Sequence, residues 1–89
     1  MDEGMIGEIR LFAGDWAPLG WLFCDGQPLS MDEYSGLYSV VGDQYGESDE
    51  MFYLPKLAPL NEKATGRDGD TLFKVRYVIC YEGRYPGRI

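Results

Sequence analysis

The clearest pattern in the chain is the run TLFKVRYVICY, Thr71 to Tyr81, where side chains alternate. Phe73, Val75, Tyr77, Ile79 and Tyr81 point one way and Lys74, Arg76, Val78 and Cys80 the other, the two-residue period of a strand. Gly83 and Pro86-Gly87 then terminate it. A second alternation, Ile6 to Gly14, predicts a strand with Ile9 and Leu11 on one face and Glu8, Arg10 and Phe12 on the other, closed by Gly14-Asp15. Pro18 and Gly20 mark a turn, after which Trp21 to Cys24 resumes an extended apolar run that ends at Asp25-Gly26. The period changes at Tyr34, Leu37, Tyr38 and Val41, which recur at helical spacing. Ser30 and Glu33 ahead of them form a capping-box pattern, and Gly42 stands where a C-terminal cap belongs, so a helix is expected from Met31 to Val41. Gly42 to Phe52 reads as a polar, acidic loop leading into a short extended segment, Phe52 to Pro55. Leu57 to Asp70 shows no period and reads as an exposed connection with a tight turn at Asp68-Gly69-Asp70. A few mostly antiparallel strands and one helix covering a face make an α+β fold.

Length confines this to one domain, residues 1–89. A chain of that size hides roughly 60–65% of its unfolded surface, enough for one modest core. With 45% hydrophobic and 15% aromatic residues, it lies well outside the composition of disordered chains. Fifteen acidic and eight basic side chains give a net charge of −7, which argues against nucleic acid or an anionic membrane as a partner. The apolar runs fall far short of a membrane span, and MDEGMIGEIR lacks the basic and apolar regions of a signal peptide.

Candidate chemistry is sparse. There is no histidine, and Cys24 and Cys80 lie 56 positions apart with no CxxC pair, so the usual zinc and redox patterns are missing and no metal or cofactor is expected. The two cysteines are read either as buried thiols or as one disulfide, whose loop closure would add roughly 4 kcal/mol. A nucleophilic Cys24 would need a neighbouring base, and the Cys-His pair is impossible here. Asp43, Glu47, Asp49 and Glu50 do not follow calcium-loop spacing, and no two of the scattered carboxylates single themselves out as a hydrolytic pair. The stretch GWLFCDGQ, Gly20 to Gln27, is accordingly read as a strand and turn that shape the core, with Trp21 the apolar anchor. The expectation is that the chain is not an enzyme.

Laid end to end, these segments resemble the phage tail collar domain, found in short tail fibres and in bacterial microcystin-dependent proteins. The resemblance is carried by Gly7 to Gly14, by Pro18-Leu19-Gly20-Trp21-Leu22-Phe23-Cys24-Asp25-Gly26-Gln27 against the signature P-x-G-W-x-x-C-D-G-Q, by Leu37-Tyr38 to Gly42, by Gln44-Tyr45-Gly46, and by Phe52-Tyr53-Leu54-Pro55-Lys56-Leu57. It is closest over residues 6–57 and resumes over 76–88, Arg76 to Arg88, which is similar to the closing strand of bacterial members. Gly20, Trp21, Cys24, Asp25, Gly26, Leu54 and Pro55 are the signature and core positions. Lys56 stands where the family usually has aspartate, Ala58-Pro59 replaces Arg-Gly, and the insertion that elaborates the tip of larger members is cut to a dozen or so residues.

The resemblance implies a non-enzymatic, self-associating subunit, often a trimer, of a phage tail fibre or an extracellular fibre, placed on the virion tail or a cell surface. Itself is thus the expected partner, as trimer or filament, with other fibre proteins or a host surface receptor beyond. Seven tyrosines exceed what one small core readily buries; they are read either as lining an aromatic core and its rim or as contacting another subunit, with Tyr45, Tyr77, Tyr81 and Tyr85 the candidate interface positions. Either the Ile6 to Ala13 strand or the Thr71 to Tyr81 strand, at a sheet edge, would invite a strand from a neighbour, with Met1 to Met5 or Arg84 to Ile89 the candidate donated strand. The alternative is a receptor- or glycan-binding tip module, using the Gly42 to Glu50 or Leu57 to Asp70 loop, with Gln44, Tyr45 and Asp49 as contacts.

Overall fold

A computed structural model describes residues 3–67 and 69–87. The elements run β1 (Ile9–Phe12), β2 (Trp21–Phe23), β3 (Pro28–Ser30), α1 (Ser35–Val41), β4 (Glu47–Ser48), β5 (Met51–Tyr53), β6 (Leu60–Gly66) and β7 (Gly69–Cys80). One helix and mostly antiparallel strands confirm the α+β class, in two small sheets. The larger is built on β7, which pairs antiparallel with β1 (Ile9 opposite Ile79, Phe12 opposite Arg76), with β2 (Trp21 opposite Cys80, Phe23 opposite Val78) and with β6 (Leu60 opposite Val75, Gly66 opposite Gly69). The smaller has the order β3-β5-β4.

The alternation read in Thr71 to Tyr81 separates two clusters. Ile79, with Tyr77 and Tyr81, faces the main core of Cys24, Leu29, Leu37, Val41, Phe52 and Leu54 between the sheets and α1. Val78 and Cys80 face a second cluster around Trp21, flanked by Phe12, Ala17 and Phe23. Val78, Ile79 and Cys80 are all fully buried because both faces of β7 are covered here. Burying Phe52, Leu37, Leu54 and Ile79 contributes roughly 1.5–3 kcal/mol each.

Several sequence expectations need correction. The helix begins at Ser35, not Met31: residues 31–34 form a turn, in which the Ser30 hydroxyl accepts from the Glu33 amide at 3.3 Å and the Ser30 carbonyl from the Tyr34 amide at 3.0 Å, so one half of the capping box closes a single turn that Tyr34, at φ −118° and ψ 41°, separates from α1. Its end falls where expected, with the Gly42 amide donating to the Tyr38 carbonyl at 2.8 Å, but Gly42, at φ 59° and ψ −141°, has the positive φ without the left-handed helical ψ of the expected cap. The acidic loop contains β4, which returns on β5 through a turn where Asp49 takes a left-handed φ of 57°. β3 was also unread, being three residues long with a leading proline.

The largest correction concerns Leu57 to Asp70, which is not an irregular connection. Leu60–Gly66 is strand β6, in register with Gly69–Val75 of β7; of the turn expected at Asp68-Gly69-Asp70, Gly69 and Asp70 belong to β7, paired with Gly66 and Thr65, and Asp68 lies outside the described residues. Backbone pairing holds this ribbon where no hydrophobic period marks it. Leu60, Asn61, Thr65, Arg67 and Lys74 are exposed along it. The ribbon projects: seven residues of strand span about 23 Å, and the molecule measures 48 × 27 × 22 Å. Its radius of gyration, 15.0 Å, exceeds the roughly 12 Å of a compact chain of this length.

Leu37 is fully buried, so Leu37→Ala should lower the unfolding free energy by about 2–5 kcal/mol in a denaturant titration. Leu19→Ala, at a position 96% exposed, should change it by less than about 0.5 kcal/mol.

Candidate functional site

The signature segment joins the two sheets. Beyond β2, the Cys24 amide donates to the Tyr77 carbonyl of β7 at 2.9 Å, while the Cys24 carbonyl accepts from Leu57 at 3.0 Å and the Gln27 carbonyl from Leu54 at 3.0 Å. Cys24 to Gln27 therefore runs alongside Leu54 to Leu57, with Asp25 bridged to Lys56. Asp25 shapes the bend, its carboxylate accepting from the Gln27 amide at 3.1 Å. Gly26 has a φ of 81° and lies against the Lys56 side chain, so a side chain here would be strained as well as crowded. Leu54 and Pro55 are buried beneath this junction, and Trp21 anchors the opposite face of β7.

Gly4 to Ile6 and Gly83 to Arg84, far apart in sequence, meet beside Trp21. Met5 and Arg84 form a parallel bridge, with the Ile6 amide donating to the Arg84 carbonyl at 2.8 Å and the Arg84 amide to the Gly4 carbonyl at 2.9 Å. Gly83 approaches so closely that a methyl group there would collide with the Gly4 carbonyl oxygen. The described parts of both candidate donor segments are thus already paired with each other. Tyr85 is held on α1, its hydroxyl 2.7 Å from Ser39 Oγ; since that hydroxyl donates to the Gly36 carbonyl, Tyr85 is the donor.

Cys24 and Cys80 are free buried thiols, one in each cluster, which replaces the disulfide alternative. Burial, with the Asp25 carboxylate adding to it, pushes the Cys24 thiol up to about 11. Burial also raises Cys80, whose S–H points at the Glu82 carbonyl, 3.4 Å away. A thiol that resists ionisation is a poor nucleophile, so the chemistry of the signature is packing. Among the described residues no group of three or more Cys, Asp or Glu is arranged to hold a metal, and no helix is long and apolar enough to cross a membrane.

The candidate interface tyrosines divide. Tyr45 and Tyr85 are 44% and 60% exposed, while Tyr77 and Tyr81 pack against the main core, Tyr81 edge-on to Tyr34 with ring centroids 5.2 Å apart. Gln44, Tyr45 and Asp49 share the acidic lobe, but the Gln44 amide is engaged by the Val41 carbonyl at 3.0 Å. Sequence reasoning missed a groove of about 480 Å³ at the root of the ribbon, lined by Phe23, Cys24, Asp25, Lys56, Leu57, Ala58, Pro59, Arg76 and Tyr77. In it the Arg76 guanidinium lies over the Phe23 ring at 3.5 Å while donating to the Asp15 carbonyl at 3.1 Å. Lys56, in the place of the family's aspartate, was the one visible sign of it.

The whole junction, from the first strand through the Cys24 turn to the start of β6, falls within residues 7–60, and those residues match the family model of the Phage Tail Collar Domain. The chain belongs to the phage tail collar domain family. No curated protein and no solved structure matches it. The collar family is structural, not enzymatic, and points to a role in the tail fibre on the virion tail. β6 beyond its first residue and all of β7 lie outside the matched span.

Gly83→Ala should lower the melting temperature by several degrees, because the Gly4 carbonyl has nowhere to move without breaking its bond to Arg84. The Cys24 thiol should ionise near pH 11, followed by thiolate absorbance, against an ordinary 9.0. A raised folded-state value means the stability it contributes is complete below pH 9 and lost as pH climbs through 11, by about 2–3 kcal/mol.

Proposed function

We infer that this collar-family chain is a self-associating structural subunit of a phage tail fibre, assembling with copies of itself. The observation that supports this most directly is the open side of β1. It is the outermost strand of its sheet, paired on one edge to β7, with no partner strand on the other edge among the described residues. Along it Ile9 and Leu11 are 38% and 45% exposed, and the following loop leaves Trp16 77% exposed. An unpaired edge carrying apolar side chains is the surface natural proteins cover by association.

Arg10 and Phe12, on the opposite face, pack on the second cluster instead, Arg10 lying 5.1 Å from the Trp21 ring centroid and 2.6 Å from Glu8. The strand is therefore firmly seated, and its outward apolar residues are presented on a fixed support.

Sedimentation across a hundred-fold range of concentration should show mass rising with concentration. Leu11→Lys should weaken that association roughly ten-fold while leaving the melting temperature nearly unchanged, as expected for a charge placed on an interface edge. A strictly monomeric wild-type chain throughout would overturn the reading.

A further inference from the structure

Charge is segregated along this chain far more than its net value suggests. Residues 31–50 hold six acids, Asp32, Glu33, Asp43, Glu47, Asp49 and Glu50, and no base. Residues 56–76 hold five of the eight bases, Lys56, Lys63, Arg67, Lys74 and Arg76, against three acids. The fold turns this into two surfaces. The acidic stretch makes α1 and the β4–β5 lobe, where Asp43, Glu47, Asp49 and Glu50 are exposed beside Tyr45. The basic stretch makes the projecting β6–β7 ribbon and the groove at its root; Lys56 and Arg76 line the groove together with Asp25, whose carboxylate accepts from the Gln27 amide at 3.1 Å, and Lys74 is exposed two residues from Arg76 along β7. No residue belongs to both surfaces, so one copy can present its lobe while receiving another's.

We propose that copies of this chain associate head to tail, the acidic lobe of one seated in the basic ribbon-root groove of the next, with Tyr45 as the apolar anchor. This rests on the self-association inferred above and names the surfaces that carry it. The groove suits that occupant chemically. Leu57, Pro59 and Tyr77 offer an apolar trough for an aromatic ring, Phe23 being covered by the Arg76 guanidinium, and the cations stand where the acids flanking Tyr45 would meet them. Tyr45 is 44% exposed, so its ring is available. Between molecules of net charge −7, which repel overall, local pairing of opposite charge selects one relative orientation and excludes lobe-to-lobe contact. Such a contact is heterologous, and it closes a ring or continues as a filament according to its rotation.

The test uses the whole chain in two charge-reversed forms. One carries Asp43→Lys and Glu50→Lys on the lobe; the other carries Lys56→Glu and Lys74→Glu on the ribbon side. Each alone should associate on the order of 10- to 100-fold more weakly than the wild type by sedimentation, and a mixture should recover association as a mixed complex. Recovery on mixing cannot come from misfolded chains. Raising salt from about 20 mM to about 500 mM, which shortens the screening length from roughly 20 Å to roughly 4 Å, should weaken the wild-type assembly. Tyr45→Ala should weaken it as well, with Tyr45→Phe restoring it. Wild-type assembly that ignores salt and both reversals, or variants that fail to complement, would overturn the head-to-tail contact and leave self-association standing. A wild type that stays monomeric at every salt and concentration would overturn both.

Discussion

Strand β7 carries neighbours on both edges and cover on both faces at Val78 to Cys80, and the remaining elements are arranged by what that demands. A strand so placed must have every backbone group paired and every side chain apolar or small, and Val-Ile-Cys meets the second requirement. β1 and β2 meet the first, along with bonds such as the Cys80 amide to the Glu8 carbonyl at 2.9 Å and the Tyr81 amide to the Gly20 carbonyl at 2.8 Å. Two cores result, one on each side of a single strand. The larger needs α1 and the small sheet above it; the smaller is closed by Trp21 and by Gly4 and Gly83, which meet against it.

The collar signature acquires physical meaning in that setting. Trp21 fills the smaller core, Cys24 the larger, and the Asp25-Gly26 bend between them and β3 turns the chain so that Gln27 and Cys24 both hold the Leu54 to Leu57 segment. Cysteine serves here as a small buried apolar residue, and burial favours the protonated thiol at both positions. The tail-fibre role of the family asks for a stable body with outward-facing surfaces, and this junction supplies the body. The ribbon, the open β1 edge and the acidic lobe are the parts left facing outward.

Those outward parts share a physical character. The ribbon is held by main-chain hydrogen bonds with little side-chain burial among its described residues, and an isolated two-stranded ribbon is marginal in water. Here it is anchored at its root, since the second half of β7 is locked into the larger sheet.

How much of this could be read from residues follows from where the burial is. The alternation in Thr71 to Tyr81, the helical stripe of Leu37 and Val41 and the turns at Gly20 and Gly26 were legible, because half-buried elements must repeat with the period of their backbone. The stretch Leu60 to Gly66 was not, because a strand with solvent on its sides is under no pressure to alternate, and only the register with β7 makes it one. Met31 to Tyr34 carried a correct cap and one helix-type bond, Tyr34 amide to Ser30 carbonyl at 3.0 Å, but the run does not continue into α1 because Tyr34 leaves the helical region at φ −118° and ψ 41°. The groove was invisible for a related reason: Phe23, Lys56 and Arg76 are far apart in sequence and meet only across the β2–β7 pairing and the Asp25–Lys56 bridge. By itself the sequence determined the fold class, the existence of the long closing strand, the family and the segregation of charge; that this strand lies at the centre of its sheet and not at an edge was decided by its pairing with β1 and β2. Only the tertiary structure decided which apolar residues remain outside, that the two thiols stay apart, and where the acidic and basic stretches come to the surface, because each depends on partners supplied by distant parts of the chain.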